Sequence, residues 1–146
     1  MYYHRLVIYF DGAARNNPHG PAGCGWALYE MDNHGTDGNL IASGKKYLGF
    51  NISNNQAEYD GLYYALEYLS KNCITCHGLY IRGDSELVIN QLNGTYQTRS
   101  QNIIDCLNDV MNMLGDVDYT FVKCTHIDRS RNHKADSLAN DAIDYY

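Results

Sequence analysis

The sequence predicts an α/β fold: a mixed five-stranded sheet, with strands 1 to 3 antiparallel, strands 1, 4 and 5 parallel, and helices on both faces. Three observations carry this. The apolar run Leu6-Val7-Ile8-Tyr9-Phe10 is unbroken, as in a central strand covered on both sides. Two more strand-like segments follow it without an intervening helical period, which predicts a meander. From Gln56 onward the period changes, and helix alternates with strand, as parallel strands joined by crossover helices require.

Each element has its own signal. Arg5 to Asp11 reads as the first strand, followed by the turn-rich stretch ARNNPHGPAG. Gly25 to Glu30 and Leu40 to Leu48 read as the second and third strands, separated by a loop rich in Asp, Asn and Gly. Over Gln56 to Leu69 the residues Leu62, Ala65, Leu66 and Leu69 make an apolar stripe at helical spacing. Gly78 to Gly83 reads as the fourth strand, SELVINQL as a short helix, and Asn102 to Leu114 as a further helix. Tyr119 to Lys123 alternates as the fifth strand. Asn132 is placed to cap a last helix whose apolar side is Ala135, Leu138, Ala139 and Ala142.

The chain has 146 residues, enough for one domain with one core, and is 45% apolar and 19% charged, a globular composition. No apolar run is long enough to cross a membrane, and the start lacks a signal-peptide pattern. Five cysteines, an odd number, read as reduced thiols inside a cell, so an intracellular, cytoplasmic protein is expected. The net charge of −6 argues against a surface that grips phosphates everywhere. It leaves room for a local basic rim around an acidic pocket filled by cations.

Four carboxylates define that pocket. Asp11 ends the first strand and Asp84 ends the fourth, in IRGDSE. If those strands are parallel neighbours, both acids emerge at one sheet edge, where such sheets bind ligands. Glu58 leads the stripe of the long helix, four residues before Leu62, and so points at the core. Asp136 lies in the first turn of the last helix. Either helical acid alone is explained by the helix dipole. The four together are not, because none has a Lys or Arg at obvious ion-pair spacing. Without cations they would repel and some would take up protons. Hard divalent ions relieve this, and oxygen-only ligands select Mg²⁺, Mn²⁺ or Ca²⁺.

IYFDGA, NNQAEYDGLYYAL, IRGDSELVINQL and THIDRSRNHKADSLANDA, in that order, resemble type 1 ribonucleases H from about residue 5 to the C-terminus. The resemblance implies hydrolysis of the RNA strand of RNA–DNA hybrids with two Mg²⁺ ions, for which Mn²⁺ can substitute, giving 5′-phosphate and 3′-hydroxyl products. It implies that Asp11 bridges both ions and that Asp136 helps hold the one that activates water. Glu58 and Asp84 then hold the one at the leaving oxygen, and His126 aids turnover. Asn17, Asn54, Asn55 and Asn132 match the family's substrate-side asparagines, and such amides can read the 2′-OH. Local readings remain open: capping for Asn54 and Asn55, a turn before Pro18 for Asn17. Arg129, Arg131 and Lys134 make the most basic stretch, and their place beside Asp136 favours phosphate contact over a solvated helix start.

The chain departs from the family in two places. His19 is an extra residue in NPHGPAG. The segment NGTYQTRSQN stands where some members carry a long basic insertion, and its one basic residue is Arg99. A single catalytic domain over residues 1–146 is expected, monomeric, without that insertion and without a separate hybrid-binding domain. Whether it stands alone or is cut from a reverse transcriptase is open. The alternatives are an inactive nucleic-acid-binding domain of the same fold, and a related nuclease acting on double-stranded RNA or DNA. The motif CITCH, at 73 to 77, fits haem attachment or part of a zinc site, but it falls in the loop before the fourth strand with no second ligand pair, so neither is expected.

Overall fold

The computed structural model describes residues 1–146. Strand β1 spans Tyr2–Ala14, β2 Pro21–Met31 and β3 Asp37–Phe50; helix α1 spans Asn54–Lys71; β4 is Thr75–Gly83, α2 Glu86–Leu92, α3 Gln101–Gly115, β5 Asp118–His126 and α4 His133–Asp144. The sheet order is β3-β2-β1-β4-β5. β1 is antiparallel to β2, and β2 to β3, while β1, β4 and β5 run parallel. This is the predicted mixed sheet with β1 at its centre.

Alternation along β1 sends its apolar residues to two layers. Leu6, Ile8 and Phe10 join Leu62, Leu66 and Leu69 of α1 and Val110 of α3 in the main core. Val7 and Tyr9 face the other way, with Ala135 of α4 and Ile127. Helices therefore cover both faces. The stripe predicted for α1 is fully buried, and each such leucine contributes roughly 1.5–3 kcal/mol. Ala135, Ala139 and Ala142 are buried as expected. Their small size lets α4 lie so close that a Cβ at Gly25 would fall 2.6 Å from the Ala135 carbonyl oxygen.

Several boundaries differ from the sequence reading. The strands are longer, because pairing extends beyond their apolar centres: Ala14 still pairs with Ala22, and Pro21 with Phe50. Asp11 therefore does not end β1. It sits where the parallel neighbour ends, since β4 pairs as far as Gly83 opposite Phe10 and then stops. The turn-rich stretch shrinks accordingly to residues 15–20, closed by the Arg15 amide donating to the Pro21 carbonyl and that of His19 to Asn16. α1 begins two residues early, so its first turn holds no acid and Glu58 is the fifth helical residue. Cys76 and His77 lie within β4 rather than in a loop, with Cys76 buried and Cys73 exposed. His126 is the last residue of β5 instead of lying in the loop beyond it. No helix is long and apolar enough to cross a membrane.

Candidate active site

Gly12 explains how three elements meet. A Cβ there would lie 2.3 Å from the Glu58 amide nitrogen, so only glycine lets the α1 backbone rest on β1 at this point. A Cβ at Gly61, one turn on, would come within 2.8 Å of the Asp11 carbonyl oxygen. The two glycines bring Glu58 down beside Asp11. The parallel register Phe10 to Gly83 sets Asp84 alongside. Carboxylate oxygens of Asp11, Glu58 and Asp84 consequently all lie within 4.8 Å of one another. Asp136 is outside that trio but lines the same open cleft, about 470 Å³ in volume.

No lysine or arginine forms an ion pair with the trio. Asp11 is 4% exposed and Glu58 7%. Burial, then the charge of Asp84, push the Asp11 carboxyl up to about 7, against the lowering effects of Glu58 and of the Gly12 amide, which donates to its Oδ1 at 2.9 Å. Burial, followed by the charge of Asp11, holds Glu58 well above the ordinary carboxylate range. Glu58 Oε2 is buried with no hydrogen-bond partner. A buried, unpartnered carboxylate oxygen beside two more carboxylates fits a hard divalent cation, and an all-oxygen donor set fits Mg²⁺ or Mn²⁺.

Asp136 is in a different situation. Its side chain is 34% exposed, and the Arg129 guanidinium stands 4.0 Å from Oδ1, an ion pair that no ion-pair spacing along the chain marked. Asn140, one turn later on α4, donates to its Oδ1 at 3.3 Å. Sequence reading passed over Asn140, although its i+4 spacing from Asp136 is a usable signal. It also passed over Arg15, which lines the cleft and bonds Asn140 and Asp144. Arg15 had no sequence signal, because only the fold carries it across to α4.

The expected substrate residues divide. Asn54 and Asn55 line the cleft, and neither caps α1, because Ser53 does. Asn54 Oδ1 accepts from the Ala14 amide at 2.8 Å, and Asn17 Oδ1 accepts from the Asn54 amide at 3.1 Å, which ties the turn to the helix start. Arg129 lines the cleft, whereas Arg131 and Lys134 open onto a separate hollow with Tyr9, Tyr29 and Asp37. Asn132 is 1% exposed and makes no side-chain cap bond. Its amide points inward instead, donating to the Phe10 carbonyl at 3.0 Å and to Asp84 Oδ2 at 3.2 Å. His126 is exposed, with Nε2 3.2 Å from the Asp84 carbonyl oxygen.

Comparison with known proteins supplies the context for this geometry. A family profile described as reverse transcriptase-like matches residues 9–142. A protein named ribonuclease HI from Halobacterium salinarum is 39% identical over 140 residues, which cover 96% of this chain and 65% of that relative, so the chain spans about two thirds of its length. The crystal structure of RNase H1 from the same archaeon superposes with a TM-score of 0.85 at 38% identity, covering 97% of this chain and 99% of that one. LC11-RNase H1, solved in complex with an RNA/DNA hybrid, superposes with a TM-score of 0.79 at 32% identity, covering 96% and 97%.

Proposed function

The chain belongs to the ribonuclease H family, and on that premise we propose that it is a divalent-metal-dependent endonuclease that hydrolyses the RNA strand of RNA–DNA hybrids, leaving 5′-phosphate and 3′-hydroxyl ends. The observation that carries this reading is the trio Asp11, Glu58 and Asp84, drawn within 4.8 Å with no basic partner. These residues, with Asp136, would hold two Mg²⁺ ions, for which Mn²⁺ would substitute. Bound there, such ions supply Lewis-acid stabilisation of charge at the phosphate and lower the pKa of water.

The chain's own groups perform the remaining tasks. Asn54 and Asn55 present amides at the cleft wall, suited to sugar hydroxyls and base edges, with Asn17 bracing Asn54 from behind. Arg129 and Arg15 stand at the cleft where phosphate oxygens would lie. His126 sits at the end of β5, with Nε2 3.2 Å from the Asp84 carbonyl oxygen, and from there its imidazole would aid turnover. Binding is expected to be weak, with a salt slope equivalent to on the order of two to four phosphates.

The deciding experiment is side-by-side cleavage of an RNA–DNA hybrid, duplex DNA and duplex RNA in Mg²⁺. Hybrid cleavage that disappears in Asp11→Asn is the expected result. Binding of the hybrid without cleavage would identify an inert binding domain, and preferential cleavage of duplex RNA or DNA would identify a different nuclease.

A further inference from the structure

Asn132 touches more of the catalytic framework than any local role requires. Its Nδ2 donates to Asp84 Oδ2, at 3.2 Å, and to the carbonyl of Phe10, at 3.0 Å, the residue that precedes Asp11. Its own carbonyl accepts from the Asp136 amide at 3.0 Å. One buried side chain and its backbone thus join the three elements that carry Asp11, Asp84 and Asp136. The amide orientation is determined by its neighbours: turned over, Oδ1 would face two acceptors. As placed, Oδ1 is buried without a partner, an unfavourable arrangement in itself.

We propose that Asn132 is a positioning residue for the metal-holding carboxylates, acting through Asp84. The inference rests on the metal-site reading above. Asp84 lies beyond the end of β4, past the last sheet pair, so no ladder bond holds its backbone. A donor on Oδ2 fixes the carboxylate plane and leaves the other oxygen to turn toward Asp11 and Glu58. The chemistry of the donor matters. A lysine or arginine here would neutralise Asp84 and compete with a cation, and a carboxylate would repel it. A neutral amide orients the acid and leaves its charge available. Partners that orient metal ligands in this way typically govern affinity by about 10–100-fold. The same contacts turn the amide inward, so that Oδ1, the atom that would accept from the first α4 amides, makes no cap bond.

The test is Mn²⁺ binding without substrate, measured by titration calorimetry on the whole chain, for wild type, Asn132→Ala, Asp84→Asn and the double variant. Asn132→Leu, which keeps the branched shape and heavy-atom count of asparagine, is measured alongside so that a cavity does not stand in for the lost donor. Thermal melts confirm that each is folded at the titration temperature. Asn132→Ala and Asn132→Leu are expected to weaken binding about 10-fold or more. In the Asp84→Asn background the Asn132→Ala change should cost less than about threefold, because a residue that acts through Asp84 has nothing left to orient. Equal losses in both backgrounds would show a general structural effect and overturn the proposal. Wild-type binding left unchanged by the Asn132 variants would overturn it while leaving the metal site intact. Absence of binding by wild type would remove the metal-site reading and this proposal together.

Discussion

Helices α1 and α4 begin alike, each with a polar residue at the N-cap and an acid soon after, yet the two starts do opposite work. At α1 the cap is local. Ser53 accepts from the Gln56 amide at 3.2 Å, and the Gln56 side chain accepts from the Ser53 amide at 2.9 Å, a reciprocal capping box. That satisfies the helix end and leaves Asn54 and Asn55 for the cleft. At α4 the cap residue is spent on tertiary contacts with β1 and β4, so the helix start is less well satisfied and the carboxylates are tied together. The acids differ in the same way. Glu58 is buried and unpaired, while Asp136 is half-buried with Arg129 and Asn140 beside it. A helix end can serve its own stability or the site, and this molecule separates the two uses.

The largest expected effect treats the two helices as equals. Glu58→Gln and Asp136→Asn should each reduce Mg²⁺-dependent hybrid cleavage by about 10³-fold or more, the scale of removing a principal stabiliser of transition-state charge. Retained cleavage in either variant would remove that acid from the site.

Stability without metal should then set them apart. Asp11 is held up at about 7, from 3.8, and Glu58 is raised as well, so the folded chain binds more protons than the unfolded one between about pH 4 and 7. Stability linked to these groups is present below the unfolded values and is lost as pH rises through the folded ones. In chelator the melting temperature should fall across that range by the equivalent of about 2–4 kcal/mol, and Mg²⁺ should restore much of it at pH 8. Glu58→Gln removes a buried acid whose ionised form burial and the Asp11 charge disfavour, and should raise the metal-free melting temperature at pH 8 by about 3–6 °C. Asp136→Asn should shift it by no more than about 1–2 °C, since that acid is partly solvated. Equal shifts would mean that the two acids share one environment.

The caps give a smaller contrast. Ser53→Ala should cost about 1 kcal/mol, read as a drop of roughly 2–4 °C, with Mn²⁺ affinity unchanged. Metal affinity lost along with this cap would collapse the distinction between the two helix starts. Smallest of all is the region remote from both. Cys73→Ser with Cys76→Ser should leave the cleavage rate within about twofold of wild type, because a surface thiol and a buried strand thiol do not reach the cleft. Loss of activity in that double variant would restore a role for CITCH.

What the sequence determined by itself is whatever depends on periodicity and residue chemistry. The run Leu6 to Phe10, the stripe Leu62, Ala65, Leu66, Leu69 and the alanines of α4 announce a sheet between helices, because burial imposes a period that can be read along the chain. Four acids in that order predict one acidic cluster, and the fold draws three of them, Asp11, Glu58 and Asp84, together. The tertiary structure decided what depends on neighbours distant in sequence. Asp11 reads as a strand end, yet it lies within β1 and reaches the cleft because β4 stops opposite Phe10 while β2 continues. Gly12 and Gly61 look like flexible residues until the approach of α1 to β1 shows that a side chain would collide. Asn132 reads as a cap, since its spacing to α4 is visible and its 122-residue reach to Phe10 is not. Arg15 and Asn140 join the cleft for the same reason. Hydrogen bonds between distant segments leave no period in a sequence, so the direction of a polar side chain belongs to the fold.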